Sequence, residues 1–250
     1  MTQPGEPASV SIVIPAFNEE ANIAKVLRAS VETLERLNTD YEVIVVDDAS
    51  DDRTVAIVKE YAATNNHIRL IEPGANIGAN AAALLGMREA RCELIFFIPA
   101  DLQIMPDQLE RCLPLLARAD YVCTVRNHRA DPWYRRVMAA AYNAAVRLAF
   151  RVRTHDVDSS VLIRRSVIVA IAPELTSSSD FLPVEMLVRA RSHGFRIAQV
   201  GIEHHPRIAG VPTAIRPREV VRTLVDMIGS IVRLRRVLRS GRPPGRRGGR

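Results

Sequence analysis

Between residues 10 and 98 the chain alternates short β-branched runs with stretches of helical spacing, and few folds accept that order. Val10 to Pro15 (VSIVIP) and Glu42 to Val46 (EVIVV) stop abruptly at polar residues, as strands buried on both faces of a parallel sheet do. Between them, Asn18 to Leu37 sets Ile23, Val26, Leu27, Val31, Leu34 and Leu37 at helical spacing, behind an asparagine and two glutamates suited to a helix start. That is a βαβ unit. A second round follows: Asp51 or Asp52 can cap a helix through Tyr61, Ile68 to Ile71 reads as a strand, Asn80 to Arg91 as an Ala-rich helix, and Leu94 to Ile98 as another strand. The alternation predicts an α/β fold, a mostly parallel central sheet flanked by helices, with its site at the carboxyl ends of the strands.

Beyond Asp101 the spacing predicts a helix over Asp107 to Ala117, a strand over Tyr121 to Val125 and an Ala-rich helix over Tyr134 to Phe150. Strands at Val161 to Arg164 and Ile197 to Ile202 follow, with a helix from Leu182 to His193 ended by Gly194. No linker interrupts the chain before residue 206. Residues 1–8 read as a flexible N-terminus, 9–215 as one domain, 216–239 as a basic amphipathic helix and 240–250 as a disordered Arg/Pro/Gly tail.

Charge divides the chain in the same way. From Arg207 to Arg250 there are twelve arginines and two acids (12 − 2 = +10), so the net +6 leaves residues 1–206 at −4. With 48% hydrophobic residues the chain is globular, and disorder and collagen are excluded. Cys92, Cys112 and Cys123 are odd in number and lack C-x-x-C spacing, which points to reduced thiols in a cytosolic setting. The N-terminus has neither the basic start nor the apolar core of a signal peptide, and no apolar run reaches membrane-spanning length.

Several short motifs carry chemistry. Pro15-Ala16-Phe17-Asn18-Glu19 ends a strand and opens a helix, where free N–H groups can meet a nucleotide; a plain helix cap is the alternative. Val45 to Thr54 (VVDDASDDRT) crowds four carboxylates into six residues, which repel unless a cation, a base edge or a ribose uses them. Some serve as helix caps, and Asp47 and Asp48, nearest the strand end, are the leading candidates. Asn76-Ile77-Gly78 opens the Ala-rich helix, and Ala100-Asp101-Leu102-Gln103 follows a buried strand. The adjacent His204 and His205 point to opposite faces of a strand, which argues against a shared zinc. No P-loop or dinucleotide-binding G-x-G-x-x-G is present, and nucleic-acid binding would rest on the Arg-rich tail alone.

The order of these four motifs resembles the family-two inverting glycosyltransferases, with a likeness to dolichyl-phosphate mannosyltransferases and related polyprenyl-phosphate sugar synthases, over residues 9 to about 215. The resemblance implies a GT-A type nucleotide-sugar-binding fold, to which the residue pattern adds the C-terminal amphipathic helix. It implies that Pro15, Ala16, Asn18 and Glu19 line the nucleotide pocket, that Asp47 sits near the base or ribose, and that Asp48, Asn76, Gly78, Ala100 and Asp101 complete that pocket. The family's Asp-x-Asp reads Pro99-Ala100-Asp101 here, so the first aspartate is missing. Asp101 and Gln103 match a metal-binding pair, for Mg2+ or Mn2+ bridging a diphosphate.

Arg126, Arg129, Arg135 and Arg136 precede His155-Asp156-Val157-Asp158-Ser159-Ser160, and Arg207 lies in the closing motif HHPRIAG. Arginine forks bind phosphate oxygens bidentately; a solvated basic face is the alternative for some of them. Arg126, Arg136 and Arg207 match family arginines, while Pro212-Thr213 replaces the family's Ser-Lys pair. A phosphomonoester acceptor is already an anion at pH 7 and needs arginines more than a base, whereas a hydroxyl acceptor would need Asp156, Asp158 or Glu185 as general base.

The expectation is an enzyme that moves a hexose from a GDP- or UDP-sugar to a polyprenyl phosphate, with Asp101, Arg126, Arg136, Arg207 and Asp158 as its catalytic residues. Transfer to a hydroxyl of a soluble glycan or metabolite, and a non-catalytic nucleotide-sugar binder, are the rivals. The basic helix fits peripheral attachment at the cytoplasmic membrane face; packing on the body, a homodimer contact or a membrane partner protein are its other readings. Many members of the resembled family add transmembrane helices after the catalytic domain; none is expected here, so the expected attachment is peripheral or through a partner.

Overall fold

The computed structural model describes residues 8–127, 133–177, 181–205 and 228–236. Its strands are β1 (Val10–Ala16), β2 (Tyr41–Asp47), β3 (Ile68–Ile71), β4 (Leu94–Phe97), β5 (Tyr121–Asn127), β6 (Val161–Arg164) and β7 (Ile197–Glu203). The α-helices are α1 (Ile23–Arg36), α2 (Thr54–Thr64), α3 (Ala79–Glu89), α4 (Leu109–Cys112), α5 (Trp133–Phe150), α6 (Arg165–Ile171) and α7 (Leu182–Ser192). The strands form one sheet in the order β3-β2-β1-β4-β6-β5-β7, in which β6 alone runs antiparallel to its neighbours. The mostly parallel α/β sheet expected from the alternation is present.

Strand periodicity distributes the core. Ile12, Ile14, Val43 and Val45 point into one cluster with Ile23, Val26, Leu27 and Leu34 of α1. Their neighbours Val13, Ile44 and Val46 point the other way, against Ala82 and Met87 of α3 and residues of α6 and α7. Each strand is thus buried on both faces, which is why its sequence is apolar without alternation. Gly86 lets α3 lie close to the sheet: a Cβ there would come within 2.5 Å of Val13 Cγ1 and 2.9 Å of Val46 Cγ2.

Three expectations need correction. The helix over Asp107 to Ala117 is instead a 3-10 turn, the single turn α4, and a second 3-10 turn containing Pro114, whose missing N–H cannot continue an α-helix. Helix α6, directly after β6, has no counterpart in the sequence reading, because its apolar run RSVIVAI is as β-branched as a strand. The first helix starts at Ile23 rather than Asn18, since the N–H groups of Asn18, Glu19 and Glu20 are bonded across to Ser50, Thr54 and Asp52.

The C-terminal segment 228–236 is helical, and Leu234, 4% exposed, packs into the cluster that holds Val146, Phe181 and Leu187. The remainder of 216–239, and the tail, lie outside the described residues. Among the described residues no helix is long and apolar enough to cross a membrane.

Candidate functional site

Strands β1, β2, β4, β5 and β7 all end on one edge of the sheet. Because β6 runs the other way, its start at Val161 faces the ends of β4 and β5, and the preceding loop, residues 155–160, arrives at the same edge. Hydrogen bonds from Thr124 hold this loop there: its N–H donates to Ser160 O (3.0 Å), and its hydroxyl lies 2.6 Å from Ser159 Oγ.

The loops after β1 and β2 are zipped into one rim. The Asn18 N–H donates to Ser50 Oγ (2.9 Å) and Asn18 Oδ1 accepts from the Asp51 N–H (2.8 Å). Glu19 N–H donates to Thr54 Oγ1, Glu20 N–H to Asp52 Oδ2, and the Arg53 N–H to Glu20 Oε2. Asn18 and Ala49 hold left-handed backbone at φ +54° and +65°. Pro15 and Ala16 close β1 as buried residues beneath this rim.

Three of the four crowded carboxylates, Asp47, Asp48 and Asp52, accept hydrogen bonds within the chain. Asp47 accepts from the Ser50 N–H (3.0 Å) and hydroxyl (2.5 Å). Asp48, 3% exposed, accepts from the Ile77 N–H (2.6 Å) and the Gly78 N–H (2.9 Å), while its carbonyl accepts from Asn76 Nδ2. Burial pushes the Asp52 carboxyl up, but hydrogen bonds from Thr54 and the Glu20 N–H outweigh it and leave the group below its ordinary value. Backbone N–H groups and the Ser50 and Thr54 hydroxyls thus offset part of the repulsion among these carboxylates. Asp51 alone of the four is exposed. Gly78, at φ +89°, occupies the turn that presents these N–H groups.

Asp101 lies at the end of β4, 7% exposed, with Ala100 buried beside it. Leu102 follows at φ +59°, a conformation costing a non-glycine residue about 1–2 kcal/mol. The turn lets the Gln103 N–H donate to Asp101 Oδ1 (3.1 Å). The end of β7 is tied to it: the His205 N–H donates to Gln103 O (2.9 Å), and Gln103 Nε2 reaches His205 O (3.5 Å). Sequence reasoning weighed His205 as half of a zinc pair and as part of the closing motif HHPRIAG; its place two residues past the end of β7 was the signal that could have drawn it to Gln103.

Arg126, near the end of β5, forms a side-on fork with Asp156, Nε to Oδ2 at 2.7 Å and Nη2 to Oδ1 at 2.8 Å, with 14% and 5% of the side chains exposed. Asp158 is exposed on the same loop. Glu185 lies on α7, accepts from the Thr176 and Ser177 N–H groups, and pairs with Arg189, which also binds Glu174. Burial pushes the Glu185 carboxyl up, but these donors outweigh it and hold it below its ordinary value. Arg136 lies in the first turn of α5, and Arg129 and Arg207 fall outside the described residues. The three cysteines are free thiols, with burial pushing Cys112 and Cys123 up to about 12.

The chain was compared with known proteins. Residues 11–171 match the family described as glycosyl transferase family 2. An undecaprenyl-phosphate 4-deoxy-4-formamido-L-arabinose transferase of Sodalis glossinidius is 30% identical over 186 residues, covering 74% of this chain and 57% of the relative. The enzyme of that name from Pseudomonas fluorescens Pf-5 is 30% identical over 224 residues, 88% of this chain and 64% of the relative. The chain therefore spans about three fifths of the length of these relatives. Among solved structures, glucosyl-3-phosphoglycerate synthase from Mycobacterium tuberculosis, in complex with Mn2+, UDP and phosphoglyceric acid, superposes with TM-score 0.66 at 18% identity, covering 92% of this chain and 84% of that one. That likeness is one of fold, a GT-A glycosyltransferase sheet.

Proposed function

Since the chain belongs to glycosyl transferase family 2, we propose that it moves a sugar from a nucleotide diphosphate sugar to a polyprenyl phosphate, with inversion at the anomeric carbon. The observation that carries this reading is the state of the carboxylates. A hydroxyl acceptor needs a general base, yet two of the three candidates are engaged within the chain: Asp156 is forked by Arg126, and Glu185 is held by Arg189 and two backbone N–H groups, which leaves Asp158 as the remaining one. A phosphate acceptor brings its own negative charge and needs no base. The names of the curated relatives, which act on undecaprenyl phosphate, support the same acceptor class.

In this reading the zipped rim of Asn18, Glu19, Asp47 and Ser50, with the Asp48-clamped Asn76–Gly78 turn, receives the nucleotide. Asp48 shapes the pocket from behind. Arg126, Arg136 and Arg207 receive phosphate oxygens, and Asp158 lies at the acceptor side.

The donor set at Asp101 fits a divalent cation carried in with substrate. Among the described residues no three or more His, Cys, Asp or Glu side chains cluster as a metal cage. Asp101 and Gln103 offer two oxygen donors, with His205 on the adjoining strand end, which is the sparse set that Mg2+ uses when diphosphate and water complete its shell. When bound there, Mg2+ or Mn2+ would neutralise charge on the departing diphosphate. The chain's part is to fix the Asp101 carboxylate through the Leu102 turn, so that it is positioned before substrate arrives.

Residues 9–215 form the catalytic unit and 216–239 a basic helix at the cytoplasmic face of the membrane. The donor sugar is either a hexose or a pentose derivative like that in the relatives' names. The test is purified protein with Mn2+, polyprenyl phosphate and labelled nucleotide sugars of both kinds; a lipid-linked product that Asp101→Asn abolishes is expected, and no lipid-linked sugar from any donor sinks the proposal. One observation favours a second reading: Pro99 stands where the family has an aspartate, which suits a non-catalytic nucleotide-sugar binder. That reading requires donor binding, seen as a raised melting temperature, without turnover.

A further inference from the structure

From Val137 to Leu148 the outward face of α5 is apolar. Where its side chains are described, the exposed positions are Val137, Ala140, Ala141, Ala144 and Leu148, with Val137 59% and Leu148 83% exposed. Their spacing sets them in one stripe, about 16 Å long at the helical rise of about 1.5 Å per residue. Helix α1 shows what this chain does with an ordinary surface helix: its exposed positions are Lys25, Arg28, Glu32, Glu35 and Arg36, all charged.

The stripe has a one-signed border. Residues 133–155 contain five arginines and no acidic residue, and the first turn of α5 reads Trp-Tyr-Arg-Arg, types enriched where protein meets lipid headgroups. Two copies of this face would set arginine against arginine, and a protein partner would need an acidic rim. An anionic lipid surface meets both the apolar stripe and its basic border. Position agrees: α5 starts just beyond the end of β5, on the edge that carries Arg126 and Asp101. A second exposed apolar pair, Ile228 and Val232, lies on the C-terminal helical segment, which packs into the same core cluster as Val146 of α5.

We propose that α5 is a membrane-docking helix: its Val137–Leu148 stripe lies in the headgroup region of an anionic bilayer and holds the site edge at the height of a lipid-borne phosphate. This rests on the polyprenyl-phosphate reading only for its purpose, and the test separates the two. Full-length protein is sedimented with vesicles of phosphatidylcholine alone or with phosphatidylglycerol, in the absence of polyprenyl phosphate. Binding to the anionic vesicles only is expected, weakened at least about tenfold by Leu148→Glu and by Val137→Glu. Val169→Glu, at an exposed apolar residue of α6, serves as the control and keeps wild-type binding. In a second measurement, an environment-sensitive dye on Leu148→Cys shifts to the blue with anionic vesicles. Wild-type binding by both glutamate variants, an unshifted dye, or a wild-type dimer whose mass halves in Leu148→Glu overturns the proposal, the last by making the stripe a protein interface. Vesicle binding through α5 with no lipid-linked sugar formed would leave this inference standing while the acceptor assignment fell.

Discussion

Replacing Asp48 separates a structural clamp from a nucleotide ligand. Both of its carboxylate oxygens are committed, to the Ile77 and Gly78 N–H groups at 2.6 and 2.9 Å, from a position 3% exposed. Hydrogen bonds to a charged acceptor contribute about 1.5–3 kcal/mol each. Asp48→Ala removes two of them, but Ile77 is 39% exposed, so water can reach its freed N–H and recover part of the loss. A net destabilisation of about 3 kcal/mol remains, equivalent to a melting-temperature drop of about 6–12 °C for a chain of this size. Asp48→Asn keeps one acceptor and should lose about half as much.

The assay pairs urea unfolding with UDP and GDP titration on each variant. The clamp predicts that stability falls first and that nucleotide affinity falls because the Asn76–Gly78 turn loosens, so a stabilising osmolyte should restore both together. The reasoning is refuted if Asp48→Ala unfolds at the wild-type urea midpoint yet no longer binds nucleotide, since Asp48 would then touch the ligand.

Gly86→Ala should destabilise by about 1–3 kcal/mol through overpacking against Val13 and Val46, read as a lowered urea midpoint with an unchanged slope. Asp156→Ala strands the Arg126 guanidinium and should cost about 3–5 kcal/mol, while Arg126→Met combined with Asp156→Ala should cost clearly less; a double-mutant cycle in urea measures the coupling. Glu42 and Glu185 both lie below their ordinary value of 4.5, so their stabilisation is present above that pH and is lost as pH falls through their folded values. Glu42→Gln should therefore flatten the acid limb of stability against pH, followed by urea midpoints from about pH 6 to about pH 3.

The sheet was legible because its strands are buried on both faces, so burial wrote unbroken Val/Ile runs into β1 and β2. β3 and β6 likewise carry the bounds their apolar runs predict, Ile68–Ile71 and Val161–Arg164. α6 was hidden by the same rule, since β-branched residues buried in a short helix look like a strand. At the site, motif order identified the loops but not what each carboxylate does. Asp48 and Asp51 stand three residues apart in one acidic run, yet one clamps a turn thirty residues away and the other faces solvent. That difference depends on which N–H groups a distant loop delivers, and no local pattern encodes it. The Arg126–Asp156 fork is hidden for the same reason: it exists because β6 is reversed and returns residues 155–160 to the mouth of the site.

The two edges of the sheet carry opposite burdens. Among the described residues, three of the five non-glycine residues with left-handed backbone, Asn18, Ala49 and Leu102, stand at the carboxyl edge, each at a cost of about 1–2 kcal/mol. The amino edge carries closed ionic networks. Glu42 gathers Ser11 Oγ, Arg69 and the Arg91 N–H, and Asp120 gathers Arg196 and Arg164, which also pairs with Glu93. Asp120 is held below its ordinary value, first by its hydrogen bond from Arg196, despite its burial. Strain sits where Asp101 and the zipped rim are held in one geometry, and the far edge supplies ties remote from the candidate site. Substitutions at the amino edge should therefore lower the unfolding midpoint and leave the site's affinities intact, whereas relaxing a left-handed residue at the carboxyl edge trades geometry at the site for backbone ease.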